Sequence, residues 1–559
     1  MDYQPRLDDI HRILFSVLDA APQLQALPAF AEVDAALMQQ VLDEAGKFVA
    51  SEVAPLQRVG DETGARFDAG RVIMAPGFRE AYQAFWQAGW PALANAPEDG
   101  GQGLPGVLEA VLYEMLSAAN HGWTMAPGLL HGAYECLKHH GSPELKARYL
   151  EKIATGEWLA TMCLTEAHAG SDLGLVRTKA VLQDDGSYRI SGGKIFISGG
   201  EHDLTDNIVH LVLARLPDAP PGPKGLSLFL APKLLPEGTR NGVFCERIEE
   251  KMGLHGSPTC VLRFEEAKGW LVGESGKGLN AMFVMMNAAR LHVGLQGIAL
   301  LEAAWQKASA YAAERRQMRA PGASETSLIQ DHPAIQRILQ TQRAWVDGGR
   351  LLAYRTAIEL DMIKHHPDAA RRETASRWCS LVTPVLKAAW TRQGFLGASE
   401  CLQVFGGHGY VREWGIEQVV RDARITMIYE GTNEIQAIDL LVRKVLPDGG
   451  VALGALLDGL AAEGPLPAEV TERFERLRGL TARLGRAATD RADLPYWVAD
   501  DYLQALALAL LGWAGARIGH ALPDWQAPAR ALRSWVLPEF GLRTQIIEQQ
   551  IPETGTAAY

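Results

Sequence analysis

One carboxylate in this chain is placed where it could take a proton from a bound ligand. Glu430 stands between the bulky aromatic Tyr429 and Gly431, and a glycine there lets the backbone turn tightly and come close to a ligand. A helix resuming at Thr432 would add a capping hydroxyl and free amide groups beside the turn. Because solvated turns often carry the same pair of residues, a role as general base depends on partners elsewhere in the chain.

A second candidate site lies far upstream. A β segment that includes Met162 and Leu164 leads to Thr165, and a turn at Gly170 and Ser171 follows. The segment delivers backbone groups, while the turn exposes amides and a hydroxyl. This combination suits a diphosphate or the polar edge of a flavin. An ordinary strand and turn would show the same pattern.

The elements that must position these sites are predicted to alternate between helix and sheet. Apolar residues recur with helical period in the first part of the chain, short β-like runs dominate the middle, and helical period then returns. A Pro-Asp-Gly-Gly break at 447–450 precedes one more helical block. The predicted units are an N-terminal extension (1–34), an N-terminal helical domain (35–157), a middle β-domain (158–275), a helical bundle with Glu430 (276–446) and an additional helical domain (451–545).

Three local predictions accompany this α+β organisation. The run 188–200 is predicted to form two short strands around a Gly-Gly turn. The apolar stretch 503–516 is too short to span a bilayer and predicts a buried helix, so stable membrane insertion is not expected. The tail 552–559 is predicted to be disordered.

Charge and cysteine usage narrow the function classes. A formal net charge of −12 argues against general nucleic-acid binding, which needs a basic surface. The N-terminus is too polar for a signal peptide, and the scattered cysteines form no Cys-x-x-Cys pair, which predicts reduced thiols in a cytoplasmic protein. The adjacent histidine pairs, 139–140 and 365–366, lack the spacing and carboxylates of a metal site, so no metal is expected. The six cysteines are Cys136, Cys163, Cys245, Cys260, Cys379 and Cys401.

Four motifs in the same order resemble the acyl-CoA dehydrogenases over roughly residues 35–446. They are Met162–Asp172, Ile195–Ser198, Gln403–Tyr410 and Ile428–Thr432. The resemblance implies an FAD cofactor whose ring meets the first two motifs. It also implies that Arg315, Gln403 and Gly407 contact FAD across a subunit interface. The cofactor residues implied are Met162, Leu164, Thr165, Gly170, Ser171, Phe196, Ser198, Arg315, Gln403, Gly407, Thr432 and Glu434.

The resemblance also implies the reaction. Glu430 would remove the α-proton of an acyl-CoA thioester while the β-hydrogen leaves as hydride to flavin N5, giving a trans-2-enoyl-CoA. Desolvation by the acyl chain should raise the pKa of Glu430 and make it a better base. The substrate contacts implied are Ser171, Asn287, Arg290 and Gly431. Some positions depart from the family pattern: Phe196, Ser198 and Met318 stand where tryptophan, threonine and phenylalanine are usual.

The N-terminal residues, the run 251–259 and the block after residue 447 resemble the larger members of the family, including the 3-methylmercaptopropionyl-CoA dehydrogenase-like and long-chain-like enzymes. The expected substrate is therefore 3-(methylthio)propanoyl-CoA or a medium- or long-chain fatty acyl-CoA. An electron-transferring flavoprotein is the implied electron acceptor. The extra domain would cover the surface that smaller members use to form tetramers, which predicts a homodimer.

Three alternatives remain at this point. An acyl-CoA oxidase would use the same glutamate but pass its electrons to O₂. A flavin-containing relative that binds nucleic acid would have a basic surface, which the acidic composition disfavours. A catalytically dead scaffold is hard to reconcile with an intact Glu430.

Overall fold

The computed structural model describes residues 2–551; the predicted disorder of the tail 552–559 lies outside them. The predicted α+β class is confirmed: helices precede and follow a mixed sheet. The N-terminal part contains nine α-helices and one small hairpin. The helices are α1 (Leu7–His11), α2 (Ala20–Gln25), α3 (Ala35–Phe48), α4 (Gln57–Thr63), α5 (Phe78–Gln87), α6 (Gly106–Thr124), α7 (Leu130–His140), α8 (Pro143–Leu145) and α9 (Glu151–Ala154), and the hairpin strands are β1 (Arg66–Asp68) and β2 (Arg71–Ile73).

The middle part is a seven-stranded sheet that closes on itself. Its strands are β3 (Leu159–Cys163), β4 (Lys179–Leu182), β5 (Tyr188–Ser198), β6 (Ile208–Arg215), β7 (Leu226–Pro232), β8 (Val243–Ile248) and β9 (Thr259–Val272). The order β6-β4-β5-β9-β7 returns to β6, with β8 added on β9 and β3 lying parallel to β6. Within residues 2–551, β3 pairs with β6 alone, so its other edge has no strand partner.

The predicted hairpin over 188–200 is wrong. Residues 188–198 form one strand, β5, paired along its length with β9. The Gly-Gly pair lies inside the strand, where the register to β9 shifts between Ile190 and Gly192. Glycine in a strand interior often marks such an irregularity rather than a turn.

The bundle that follows contains six helices. They are α10 (Gly278–Glu314), α11 (Pro333–His365), α12 (Ala369–Val385), α13 (Thr391–Val404), α14 (Ile416–Arg424) and α15 (Asn433–Ile438). Helices α12 and α13 run into each other through a π-helical turn, Leu386–Trp390. Pro384 lies just before this turn and cannot donate to the Ser380 carbonyl, which instead accepts a hydrogen bond from Lys444 Nζ at 2.9 Å.

Helix α10 lies at the centre and packs against α6, α7, α11 and α13. A Cβ added to Gly297 would lie 2.5 Å from the Trp390 carbonyl oxygen, so the close approach of α10 to the π-helical turn requires glycine there. Helix α10 is also the one helix, within residues 2–551, that is long and apolar enough to span a membrane. More than half of its most apolar window is buried inside the protein, as expected for a core helix.

The last block adds five helices. They are α16 (Val451–Ala462), α17 (Ala468–Asp490), α18 (Leu494–Ala521), α19 (Gln526–Ala531) and α20 (Glu539–Gln550). The predicted buried helix over 503–516 is confirmed: it is the middle of α18, which packs against α11, α15, α17 and α20.

The N-terminal extension is tied to distant parts of the chain. Asp9 forms an ion pair with Arg343 of α11 at 2.7 Å, and Arg12 forms one with Asp524, just before α19. The Arg6 guanidinium lies 4.3 Å from the ring centroid of Trp305 on α10. The extension thus contacts both the bundle and the last block.

Candidate active site

The turn at residues 429–431, called the catalytic turn for the role expected of Glu430, has an unusual backbone. Glu430 has φ +57° and Gly431 has φ +85°, so two successive residues are left-handed. This conformation is uncommon for a glutamate, and such strained residues cluster at functional sites. Gln436 Nε2 donates to the Glu430 carbonyl oxygen at 3.1 Å. The predicted cap is confirmed: the Thr432 hydroxyl accepts from the Ile435 amide at 3.4 Å, and α15 begins at Asn433.

The carboxyl group of Glu430 is surrounded by protein although the residue keeps some exposure. Burial raises its pKa to about 7, against the smaller lowering effects of Arg290 and Lys387. A base works best when its pKa lies near the operating pH. The turn therefore presents a carboxyl group tuned for proton transfer near neutrality.

The structure brings Arg290 close to Glu430, and Asn287 close to Arg290. Arg290 Nη1 donates to Asn287 Oδ1 at 3.3 Å, and both residues lie in the first half of α10. The Nε of Arg290 is buried and has no hydrogen-bond partner among residues 2–551. An orphaned guanidinium N–H next to the turn can donate to an oxygen-rich ligand.

Tyr429 is held by contacts that no motif indicated. Its hydroxyl donates to Gln296 Oε1, lies 3.3 Å from His121 Nε2 and lies 3.8 Å from Met125 Sδ. Burial lowers the pKa of His121 to about 3, so this imidazole is neutral. The polar atoms around the phenol come from α6 and α10, far apart in sequence from the turn.

Lys387 is a second residue that the sequence reasoning missed. It lies in the π-helical turn 386–390, its side chain is 0% exposed, and its Nζ donates to Asn433 Oδ1 at 3.0 Å. Burial lowers its pKa to about 7, although the nearby Glu430 and Glu434 favour its charged form. The available signal was a lysine inside an apolar run just after Pro384.

The loop after β3 and the end of β5 lie side by side. The Ile195 amide donates to the Thr165 carbonyl oxygen at 2.9 Å, which places Phe196 and Ser198 near Met162 and Leu164. Phe196 is 60% exposed and has φ +59°. A large ring held outward in a left-handed conformation beside an open strand edge offers a flat surface for a planar ligand.

A buried ion pair supports this loop. Lys194 Nζ lies 2.9 Å from Glu166 Oε1 and also donates to the Leu164 carbonyl oxygen at 2.9 Å. Glu166 accepts further bonds from the amides of Arg177 and Thr178 and from the Thr178 hydroxyl. The loop is therefore fixed from behind, while its outward side stays free.

A cavity of about 600 Å³ brings Arg315, Gln403 and Gly407 together. Met318, which is 79% exposed, also lines it, as do His332 and Phe405. Added Cβ atoms on Gly406 and Gly407 would meet no atom within 4 Å, so a ligand can reach this backbone closely. The cavity lining contains no residue of the β3 loop or of the catalytic turn. The predicted cofactor residues thus form separate groups within one protomer.

The residues present fit an FAD. The open edge of β3, the outward Phe196 ring and the exposed Gly170 and Ser171 suit a flavin ring and its diphosphate. Gly170 has free space where a Cβ would lie. The cavity with Arg315 supplies an exposed guanidinium for a second diphosphate contact. Glu434 follows Thr432 at the start of α15 and is exposed.

Comparison with known proteins shows the family directly. Models of the N-terminal, middle and C-terminal domains of acyl-CoA dehydrogenases match residues 37–157, 161–267 and 276–445. A "3-methylmercaptopropionyl-CoA dehydrogenase" of Ruegeria pomeroyi is 45% identical over 476 residues, covering 83% of this chain and 80% of that protein. A "broad-specificity linear acyl-CoA dehydrogenase" of Mycobacterium tuberculosis is 37% identical, covering 87% and 79%.

Solved structures share the fold over nearly the whole chain. An acyl-CoA dehydrogenase of Bacillus anthracis in complex with FAD has a TM-score of 0.76 at 21% identity, covering 97% of this chain and 92% of that chain. Caenorhabditis elegans ACDH-11 in complex with C11-CoA has a TM-score of 0.76 at 20% identity, covering 100% and 97%. Both coverages include the helices after residue 447. This chain belongs to the acyl-CoA dehydrogenase family.

Proposed function

We propose that this protein is an FAD-dependent dehydrogenase that converts an acyl-CoA thioester into the trans-2-enoyl-CoA, with Glu430 as the base. The observation that carries the proposal is the strained turn that holds Glu430, whose pKa is raised to about 7 by burial. A carboxylate with this pKa is a stronger base than an exposed one, and at neutral pH much of it is still ionised.

The chain's own groups serve the proton transfer. Glu430 accepts the α-proton, which is only weakly acidic, so the developing charge on the thioester oxygen needs a hydrogen-bond donor. The amide of Glu430 makes no hydrogen bond within residues 2–551 and is free for this role. Arg290 would bind oxygen atoms of the CoA portion, and its unpartnered Nε supports this role.

The cofactor residues divide into three groups. Met162, Leu164, Thr165, Phe196 and Ser198 would hold the isoalloxazine ring, and FAD supplies, when bound, the acceptor for the β-hydride. Thr432 and Glu434 lie beside the catalytic turn. Arg315, Gln403 and Gly407 lie in the separate cavity and would reach the FAD of a second subunit, which supports a homodimer.

The acyl group that we propose is 3-(methylthio)propanoyl, with linear fatty acyl chains as the competitor. The support is the name of the relative that is 45% identical over most of this chain. The relative at 37% identity, named for broad linear specificity, supports the competitor. We also propose an electron-transferring flavoprotein as the electron acceptor and a cytoplasmic location.

The first experiment measures acyl-CoA-dependent reduction of an artificial electron acceptor. Glu430→Gln is expected to keep FAD, seen in its absorbance, and to lose activity by about a thousand-fold or more, within the range of an essential general base. Glu413→Gln, an exposed carboxylate outside the site, is the matched control. Full activity of Glu430→Gln would rule out this base.

Two further measurements test the finer statements. A panel comparing 3-(methylthio)propanoyl-CoA with linear acyl-CoA thioesters ranks substrates by kcat/KM, and a higher value for long chains would refute the methylthio assignment. Hydrogen peroxide formed without an added acceptor would identify an oxidase.

The second subunit's role is tested at Arg315. Arg315→Ala is expected to weaken FAD binding by about ten- to a hundredfold, since a charged hydrogen bond contributes about 1.5 to 3 kcal/mol. Arg319→Ala, an exposed arginine outside the cavity lining, should bind FAD normally. Light scattering of the wild-type protein should give a dimer; a tetramer or a monomer with normal FAD affinity would refute the assembly.

A further inference from the structure

We propose that Lys387 is a positioning residue that keeps Glu430 ionised before substrate turnover, and that Asn433 anchors its ammonium group for this purpose. The inference rests on the proposed function, since it assigns Glu430 the role of base. It concerns two side chains that lie under the catalytic turn and that the family resemblance did not single out.

The position of Lys387 is fixed by the helix geometry. Pro384 interrupts the backbone hydrogen bonding of α12, and the chain continues through the π-helical turn that carries Lys387. Such turns occur frequently at functional sites. Glycines at 294 and 297 let α10 lie against this turn, and a Cβ at Gly294 would come 3.1 Å from Leu386 Cβ. Lys387 therefore points into a closed space.

Asn433 is held firmly as the acceptor for Lys387. Its Oδ1 accepts a hydrogen bond from Lys387 Nζ at 3.0 Å, and its Nδ2 donates one to the Ala388 carbonyl oxygen at 3.0 Å. Thr391 Oγ1 lies 3.2 Å from the same side chain and donates to the Lys387 carbonyl oxygen at 2.6 Å. Because Asn433 is the first residue of α15, three positions after Glu430, the lysine is tied to the catalytic turn itself.

The choice of an amide as partner has an electrostatic consequence. Within residues 2–551, Lys387 forms no ion pair, so no carboxylate neutralises its charge at contact distance. The charged groups that face it are Glu430, Glu434 and Arg290. An amide accepts the hydrogen bond but leaves the positive charge available to Glu430. A carboxylate at position 433 would instead consume that charge locally.

The two titrations are reciprocal. Burial raises the pKa of Glu430, and Lys387 and Arg290 oppose this rise; burial lowers the pKa of Lys387, and Glu430 opposes this fall. Ionised Glu430 and protonated Lys387 thus stabilise each other. Arg290 keeps some exposure, whereas Lys387 is completely buried.

The experiment compares pH profiles of kcat/KM for wild-type holoenzyme and Lys387→Met. Without the positive charge, the acid limb should move up by about one pH unit, the lower end of the shift of about 1 to 3 units that a nearby opposite charge gives a carboxyl group. Activity at pH 6.5 should fall roughly tenfold and recover at pH 9. Lys387→Arg, which keeps the charge, should retain the wild-type limb.

The control is Lys444→Met. Lys444 donates to the Ser380 carbonyl oxygen of α12, the helix before the π-helical turn, and is not among the charges that influence Glu430. Its acid limb should not move. An unchanged limb in Lys387→Met with normal FAD content would overturn the proposal. If that variant does not fold, Lys387→Gln keeps a hydrogen bond to Asn433 and is tested in its place.

A measurement without substrate separates this proposal from the proposed function. The melting temperatures of Lys387→Met and of the double variant Lys387→Met/Glu430→Gln are measured over a range of pH. Because the two proteins differ only at residue 430, the pH dependence of their difference reports the titration of Glu430. The same difference between the wild type and Glu430→Gln gives the titration midpoint of Glu430 with Lys387 present. A higher midpoint in the Lys387→Met background supports the role of Lys387 even if no acyl-CoA is turned over. Equal midpoints would overturn it even if the enzyme is active.

Discussion

Two lysines in this protein are completely buried, and their surroundings differ. Lys194 under the β3 loop contacts Glu166 directly and also the Leu164 carbonyl oxygen. Lys387 under the catalytic turn contacts the amide of Asn433 and forms no ion pair within residues 2–551. Both side chains are 0% exposed. Lys194 therefore has a carboxylate at contact distance, whereas Lys387 has a neutral amide there.

The difference separates a structural charge from a functional one. A buried pair with full hydrogen bonding fixes a geometry, and the Glu166 pair fixes the loop beside Phe196. An unpaired buried charge costs stability and shifts the pKa of its neighbours, as at Glu430. The same side chain thus serves rigidity in one region and reactivity in the other.

The largest expected effect is a loss of stability at Lys194, the buried lysine that forms an ion pair. Lys194→Met should leave the buried Glu166 carboxylate without its ammonium partner, at a cost of up to about 3 to 5 kcal/mol. The variant should melt at a lower temperature and release FAD more easily, as measured by circular dichroism and flavin fluorescence. In the double variant Lys194→Met/Glu166→Gln, most of this loss should be recovered. A single variant as stable as the wild type would show that the pair has no structural role.

The next largest effect is a gain in stability on substitution of Glu430, in the region of Lys387. The pKa of Glu430 in the folded protein, about 7, is above its ordinary value of 4.5. The unfolded chain therefore releases this proton at lower pH, and the wild type loses stability as pH rises from about 4.5 to 7. Glu430→Gln removes this loss and should be more stable than the wild type at pH 8, by up to about 3 kcal/mol.

Thermal melting of holoenzyme at pH 5 and pH 8 measures this effect. The gain should be small at pH 5, where Glu430 is protonated in the folded state. An equal change at both pH values would mean that the substitution acts through packing and not through charge.

The smallest effect tests whether the surroundings of Lys387 can be made to resemble those of Lys194. Asn433→Asp gives Lys387 a contacting carboxylate like that of Lys194. The new charge should neutralise the lysine and raise the pKa of Glu430, so the acid limb of kcat/KM should move up by about one pH unit. Asn433→Ser, a neutral change at the same position, is the control. A limb that moves equally in both variants would point to a packing effect.

Local pattern predicted the catalytic turn well. The cap at Thr432, the helix resuming there and the tight turn at Gly431 depend on neighbouring residues; the structure confirms the cap and the turn and begins the helix one residue later, at Asn433. The α+β class was predictable for the same reason, from periodicity over short windows. The roles of the cofactor and substrate residues stay predictions, argued from their placement.

What sequence could not predict depends on long-range packing. Lys387 is 43 positions before Glu430, and the packing of the π-helical turn 386–390 against α15 brings it near the turn that carries Glu430. The continuous strand β5 was read as a hairpin because Gly-Gly signals a turn locally, whereas its pairing with β9 overrides that signal. The left-handed Phe196 is likewise a product of the β5–β9 register and not of its own preference.

The contacts of the N-terminal extension have a consequence for how the chain is made. Ile10, Ile13 and Leu14 are almost completely buried, and the ion pair between Arg12 and Asp524 closes over them across 512 positions. At about 5–20 residues per second, a ribosome needs on the order of 25 to 100 s to reach that partner. Because the helical segment Arg12–Val17 packs against α11 and α18, its apolar side chains are not fully covered until those distant helices have been made, and for that interval it is a surface for molecular chaperones.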